Sequence, residues 1–510
     1  MSNYRVIIKN IFSNWMSIGV SAAIGFFLMP FLVHQLDNTL YGIWVLIISL
    51  TGYGVLLDFG IRSSIVKYAA QYHATDDRES LNSVFSTGLA IYSVTGIILM
   101  LTALVFAHFL PRFFNIVPQH MHEAKLAFLF VSFSLALKFP GGVFEGFLCG
   151  IQRYDITNGI GIFGAVLKAI TIVIFLSSGY GLATLGLIVM MTEIAANVLM
   201  VFFCFKYLPF LRPALKSVDR KMFKKIYRYG LYSFIIIIAS KIIYESDAII
   251  IGAFLPAEAI TFYAIANNLI RYLRQISYGF GNVFSPAASE LDARNELSRI
   301  QQLLTYGTKY SLLFILPVAF TLLFLGREFI SIWMGSGYAR TSGDVLIILT
   351  ISQVIAMSQF SSGSILYGLN KHNYLAFFLF FEAIAKLVLS IALIGKHGII
   401  GVALGTAIPE IVVYLFLLPW YITRAVRLSP ITYLKEAFYP PFVNSLSFAG
   451  LLYIFKVYFQ PVTWAVFILE ICIAVIVYGI SSFFVCFNYR QRAAISDMLV
   501  RRMRRAFVTE

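Results

Sequence analysis

Apolar runs of about 20 residues follow one another along almost all of this chain, and each is long enough to cross a hydrocarbon core of about 30 Å as a helix. They lie near residues 12–33, 41–61, 82–107, 125–148, 158–177, 182–205, 230–254, 261–287, 308–326, 345–367, 374–394, 399–423, 442–460 and 464–487. A helix satisfies its own backbone hydrogen bonds, as a segment in lipid must. The expectation is an all-α polytopic membrane protein of about 14 transmembrane helices. Only 12% of the residues are charged, against about 25% in soluble domains, and 59% are hydrophobic. The first run, Ile11 to Val33, exceeds the about 7–15 residues of a cleaved signal core and should stay as the first span.

Charge then sets the orientation. The formal net charge is +15, which in a soluble protein would point to nucleic acid. With the N-terminus placed inside, about 27 Lys and Arg fall in cytoplasmic segments and about 5 in external ones. The excess is mostly topology, so both termini are expected in the cytoplasm and no nucleic-acid partner is expected. The tail mixes Arg501, Arg502, Arg504 and Arg505 with Met498, Leu499, Met503 and Phe507, the pattern of an interfacial helix on anionic membrane lipids. Cys149, Cys204, Cys472 and Cys486 show no paired spacing, so no disulfide framework, zinc site or cofactor is expected.

Between the sixth and seventh runs, Lys206 to Arg228 carries many basic residues against a single acid, Asp219. The chain is read as an N-lobe of six helices (1–205), a basic cytoplasmic linker (206–229), a C-lobe of six helices (230–423), a final helix pair (424–487) and a basic cytoplasmic tail (488–510). The lobes repeat each other. A shift of about 218 residues places Gly150, Gln152, Arg153 and Lys168 on Gly368, Asn370, Lys371 and Lys386. With small gaps, Arg112 meets Arg327 and Glu193 meets Glu410. An even number of spans per copy makes the repeats parallel, with a central cavity expected between lobes.

One span is unlike the rest. On a helix, Asn267, Asn268, Arg271, Arg274, Gln275, Tyr278 and Asn282 fall within an arc of roughly 120°, with Leu269, Leu273, Ile276 and Phe280 opposite. Both arginines then sit near mid-membrane, where facing lipid costs roughly 2.5–3.5 kcal/mol per charge. The stripe should line a wet cavity or meet anions; an internally paired structural helix is the alternative.

Four further stretches complete the picture: "LYGIWVLIISLTGYGVLLDFGI" from Leu40, "YAAQYHATDDRESLN" from Tyr68, "GIQRYD" from Gly150 and "LGREFISIWMGSGY" from Leu325. In this order and at these spans, the chain resembles the polysaccharide-export branch of the MOP superfamily, the flippases of lipid-linked O-antigen and capsule oligosaccharides. The resemblance covers nearly the whole chain and says little about which glycan is carried. It implies a multi-pass protein of the bacterial inner membrane that moves an undecaprenyl-pyrophosphate-linked glycan outward by alternating access. Its partners would be that lipid-linked oligosaccharide, membrane lipids, and a polysaccharide polymerase with chain-length machinery.

A pyrophosphate is a dense anion that suits arginine's planar donor fork. Arg271 and Arg274 are the first candidates to hold it, with Asn267, Gln275 and Tyr278 beside them. Lys168 and Lys386 occupy matching places in the two repeats, although Lys386 also stands four residues after Glu382 and can serve to neutralise it. Lys138 is a further candidate. It and Glu145 share a helix face with Pro140, Gly141 and Gly142 between them, a bend that serves either as a gate or as a static packing kink. Lys241 can pair with Glu245. The acids Asp58, Glu193, Asp247 and Glu410 are candidates for proton or sodium coupling, or are structurally satisfied. His120 and His122 fall in an external loop and are read as solvated.

Two rival functions come from other classes. A polytopic enzyme on lipid-linked sugars would need long external loops with clustered acids, whereas the longest here, around Gly326 to Asp344, holds only Glu328 and Asp344. No Walker A pattern occurs, which argues against ATP drive. An ion-coupled drug antiporter of the same superfamily should have an acidic or aromatic cavity, and this stripe is basic.

Overall fold

The computed structural model describes residues 2–281, 284–371, 373–487 and 492, and among them every regular element is helical. The chain divides into two compact units, Met1–Ala264 and Ile265–Glu510. The first holds α1 (Ser2–Gly52), α2 (Ile61–Ala74), α3 (Arg78–Phe113), α4 (Met121–Gly150), α5 (Tyr154–Ser177), α6 (Leu182–Tyr207) and α7 (Arg220–Phe254). The division falls inside α8 (Ala257–Gly281). Beyond it come α9 (Phe284–Ala293), α10 (Leu297–Met334), α11 (Ser336–Ser358), α12 (Phe360–Gly368), α13 (Asn373–Ile411), α14 (Leu418–Ala425), α15 (Pro430–Tyr433), α16 (Tyr439–Tyr458) and α17 (Trp464–Val485).

Among the described residues, ten helical segments are long and apolar enough to cross a membrane. Two of them turn back on themselves. In α1 the corner is Asp37, at φ 63° and ψ 174°. Its carboxylate accepts hydrogen bonds from the backbone N–H of Thr39 at 2.7 Å and Leu40 at 3.1 Å, restarting the helix as an N-cap does. In α13 the corner is Gly398, at φ 55°, where only glycine is unstrained. Each of these therefore supplies two spans. Adding α7 and α8, which have spanning length but carry intramembrane charges, gives the fourteen crossings read from the sequence.

Lipid exposure follows the helical period. On α3 the exposed side chains include Val94, Ile97, Ile98, Leu101, Leu104 and Val105, while Tyr92, Gly96, Ala103, Ala107 and Leu110 are buried on the opposite face. Exposed apolar stripes of this size are at home only in hydrocarbon.

The core of the first unit centres on Phe85, whose ring meets Phe147 at 5.3 Å and Phe144 at 5.4 Å, edge to face. Leu208, Leu211, Met222 and Ile226 of the basic stretch belong to the same core. Its backbone is tied as well: Arg212 N–H donates to Asn82 Oδ1 at 2.7 Å, Ala214 N–H to Ser86 Oγ at 3.2 Å, and Asp219 N–H to Thr87 Oγ1 at 3.2 Å. The linker is strapped across the start of α3.

The repeat is visible in the backbone. After α4, the N–H of Gln152 bonds to Cys149 C=O at 2.9 Å and that of Arg153 to Leu148 C=O at 2.9 Å. After α12, Asn370 N–H bonds to Tyr367 C=O at 3.1 Å and Lys371 N–H to Leu366 C=O at 2.9 Å. Gln152 and Asn370 are both left-handed, at φ 60° and 55°. This is one helix-terminating turn used twice. The glycines before it share a purpose too. A Cβ on Gly150 would meet Ala69 Cβ at 2.7 Å, and one on Gly368 would meet Ser285 C=O at 2.3 Å, so in each unit a short helix, α2 or α9, lies against bare backbone.

The final pair packs on α10 through Phe448, Leu452, Phe467 and Tyr478. Lys456 there donates to Phe324 C=O at 2.8 Å and lies 3.8 Å from Glu328, which accounts for one intramembrane lysine.

Candidate functional site

In the first unit, α4, α5 and α6 enclose a cavity of about 240 Å³ lined by Lys138, Glu145, Lys168, Glu193 and Asn197 among others. Small residues make the room. Gly161 and Gly164 face it from α5, and a Cβ on Gly161 would meet nothing within 4 Å. On α4, Gly141 is seated against Asn197, where a Cβ would lie 1.9 Å from Asn197 Oδ1, and Gly142 lines the wall. The helix runs unbroken through Pro140 from Met121 to Gly150, so this triplet serves close packing without ending the helix.

A second cavity, of about 110 Å³, shares Lys138, Gly142 and Glu145 with the first and adds Asp58, Arg62 and Tyr92. The charges in both are partnered. Arg62 pairs with Glu145 at 2.5 Å, Lys138 stands 3.9 Å from Glu193, and the Tyr92 hydroxyl donates to Asp58. Lys168 is within electrostatic reach of both Glu193 and Lys138. Together the cavities present Arg62, Lys138 and Lys168 against Asp58, Glu145 and Glu193, a formal balance.

The second unit holds the other candidates. Glu382, Lys386 and Glu410 are 3%, 1% and 5% exposed. Glu382 feels Glu410, Lys386 and Arg274, so these four form one cluster. On α8, Leu269, Ile270 and Leu273 are buried, while Arg271 and Gln275 are exposed and Asn267 is half-buried. Over residues 267–275 the predicted separation of faces is present; the side chains of Ile276 and Phe280, read as part of the apolar face, lie outside the described residues. Arg271 donates to the side-chain oxygen of Asn268 one turn before it. The backbone of Tyr278 continues α8; its side chain and Asn282 lie outside the described residues.

Asp247 is the remaining acid among the candidates. It is buried in α7 within reach of Tyr53, near Glu245, which pairs with Lys241 at 3.6 Å.

The repeats differ at one informative place. The shift that puts Lys168 on Lys386 puts Gly164 on Glu382. Where the first unit has a glycine bordering a hollow, the second has a buried carboxylate.

The polysaccharide biosynthesis protein family model matches residues 7–292, more than half of the chain. The chain belongs to that family. A candidate O-antigen transporter of Shigella flexneri is 24% identical to this family member over 434 residues, covering 82% of this chain and 98% of the relative. Agl15 of Haloferax volcanii, a flippase candidate of low-salt glycan biosynthesis, is 26% identical over 246 residues, which is 48% of this chain and 50% of the relative. Among solved structures, the lipid II flippase MurJ in an inward closed conformation superposes with a TM-score of 0.69 at 18% identity, covering 94% of this chain and 98% of MurJ. An inward-facing multidrug resistance MATE transporter of the MOP superfamily reaches 0.61 at 15% identity, over 80% of this chain and 99% of the transporter. The family membership and the shared fold bear out the resemblance read from the sequence.

Sequence reasoning passed over Arg62, Tyr92 and Asn197 of this polysaccharide biosynthesis protein. For Arg62 a signal existed: Asp58 precedes it by four residues across a turn in which Phe59 and Gly60 are left-handed, at φ 48° and 72°. Nothing local marks Asn197, whose place depends on a glycine in another helix.

Proposed function

We propose that the protein is a flippase that moves undecaprenyl-pyrophosphate-linked oligosaccharide outward across the bacterial inner membrane by alternating access, for O-antigen, capsule or exopolysaccharide assembly. It is a transporter and performs no bond chemistry. The observation that carries this reading is the basic face of α8, with Arg271 and Gln275 exposed, in a polysaccharide biosynthesis protein with relatives described as O-antigen and glycan transporters. Arg271 and Arg274 hold the pyrophosphate, and Asn267, Gln275 and Tyr278 contribute donors beside them. Lys386 adds positive charge in the second unit, and Lys138 and Lys168 meet substrate in the chamber of the first.

Asp58, Glu193, Asp247 and Glu410 are the groups through which ion movement would couple to transport, and Pro140, Gly141 and Gly142 the place where α4 would flex. The domain boundaries read from the sequence, with the linker at 206–229 and the final pair at 424–487, divide the transport machinery. A polymerase and chain-length machinery receive the product. A multidrug antiporter shares the fold, but the arginines of α8 repel cationic substrates.

Reconstitution tests the reading. In liposomes loaded on one leaflet with undecaprenyl-pyrophosphoryl oligosaccharide, the protein should make the glycan accessible on the other leaflet; absence of transfer by folded protein overturns the proposal. In the same vesicles, Glu193→Gln combined with Glu410→Gln should flatten the pH dependence of transfer, because these acids occupy matching positions of the repeats. An unchanged pH profile returns them to a structural role.

Orientation is checked separately. With both termini cytoplasmic, a cysteine placed at Ser217 should stay unlabelled by an impermeant thiol reagent added to intact cells and react once the cells are opened. Labelling from outside would invert the topology.

A further inference from the structure

Two features of the first unit do not fit a site for pyrophosphate. The chamber's own charges, Lys138 and Lys168 against Glu145 and Glu193, sum to zero; Lys138 stands 3.9 Å from Glu193, and Glu145 is paired with Arg62 of the adjoining cavity. A dianionic group entering there would meet the carboxylates of Glu145 and Glu193, with no net attraction to offset the loss of its hydration. The second feature is Asn197. Its Nδ2 is buried without a hydrogen-bond partner among the described residues, while its Oδ1 is pressed against Gly141. A buried donor left unmade is costly, so such a group is commonly completed by something that enters.

The chamber offers donors from Lys138, Lys168 and Asn197 and acceptors from Glu145 and Glu193 within about 240 Å³. Interleaved donors and acceptors of zero net charge complement a ring of hydroxyl groups, each of which both donates and accepts. Pockets for drug-sized ligands run to about 300–1,000 Å³, so this one has room for a single ring. The equivalent place in the second unit carries buried Glu382 where Gly164 stands here, so the two repeats differ at this wall.

We propose that the chamber walled by α4, α5 and α6 seats one uncharged sugar ring of the transported glycan, that Asn197 donates to it, and that the pyrophosphate is held outside this chamber. This rests on the flippase reading and assigns the glycan a place within it. Asn197 is then a specificity residue, and Gly161 and Gly164 are kept small for the ring.

The test compares binding of three probes to the purified full-length protein in nanodiscs: undecaprenyl pyrophosphate, and the same lipid carrying N-acetylglucosamine or galactose. Wild-type protein should bind at least one glycosylated lipid about tenfold more tightly than the bare one, the worth of hydrogen bonds to charged groups. Asn197→Leu should remove that preference. Gly161→Leu, which fills open space, should do the same while unfolding at the wild-type temperature. Arg274→Gln should weaken all three probes together. The proposal is overturned if wild-type protein binds all three equally, if both leucine variants keep the preference, or if they lose affinity for bare and glycosylated lipid alike. Failure of wild-type protein to bind any of the three would instead overturn the flippase reading, and this proposal with it.

Discussion

Cells whose only copy carries Arg271→Gln together with Arg274→Gln should lose surface glycan while the protein remains in the membrane at its normal abundance. Each arginine is expected to make charge-assisted hydrogen bonds to phosphate, worth about 1.5–3 kcal/mol apiece. Losing both should weaken substrate binding by about a hundredfold or more. The fold should tolerate the change. Arg271 is exposed and its partners, Asn268 and Tyr272, are half-buried side chains on its own helix, so its removal strands no fully buried group. Arg274 shares a cluster with two acids, but it is only half-buried and acts on Glu382 less than the fully buried Lys386, which glutamine at 274 leaves in place. Lysine at either position should restore part of the export, as a point charge without the fork. Normal export by the double variant at normal abundance would reduce the α8 face to a structural one.

Lys386→Met should have the opposite signature, with loss of stability ahead of loss of function. Lys386 is 1% exposed, beside Glu382 and Glu410, which are nearly as buried. Removing one member of a buried charged group leaves the others uncompensated, at a cost of about 3–5 kcal/mol. The single variant should unfold at a clearly lower temperature in detergent and accumulate poorly in membranes. Adding Glu382→Gln should recover much of that loss, because the stranded carboxylate is then neutral. Arg271→Gln, measured alongside, should unfold close to wild type. If Lys386→Met melts with the wild-type protein, or if Glu382→Gln gives no recovery, the cluster does not hold the second unit together.

What the sequence displays is governed by local rules. A run of about 20 apolar residues can only be a span, and the left-handed turn after Gly150 and Gly368 leaves a glycine and an amide-bearing residue in the same register both times. The two faces of α8 follow from its period. What stays hidden depends on how packed helices are rotated against each other. Arg62 finds Glu145 from 83 residues away, and Lys138 finds Glu193 across two helices. Periodicity places each of these on a face and says nothing about which face of another helix it will meet. For the same reason Lys138 and Glu193, read singly as a substrate contact and a coupling acid, turn out to be neighbours in one chamber. The linker was legible by charge alone; Leu208, Leu211, Met222 and Ile226, scattered among its basic residues, are what bind it into the core.

The duplicated turn and the unequal residues behind it, Gly164 in one repeat and Glu382 in the other, have a meaning for symmetry. Two identical subunits would be obliged to carry the same side chain in both halves, glycine with glycine or glutamate with glutamate. Joining the halves in one polypeptide lifts that obligation while leaving the shared backbone architecture intact. One half is then free to keep a glycine beside its cavity and the other to bury a carboxylate at the same place, a division of labour that a homodimer of the same design could not encode.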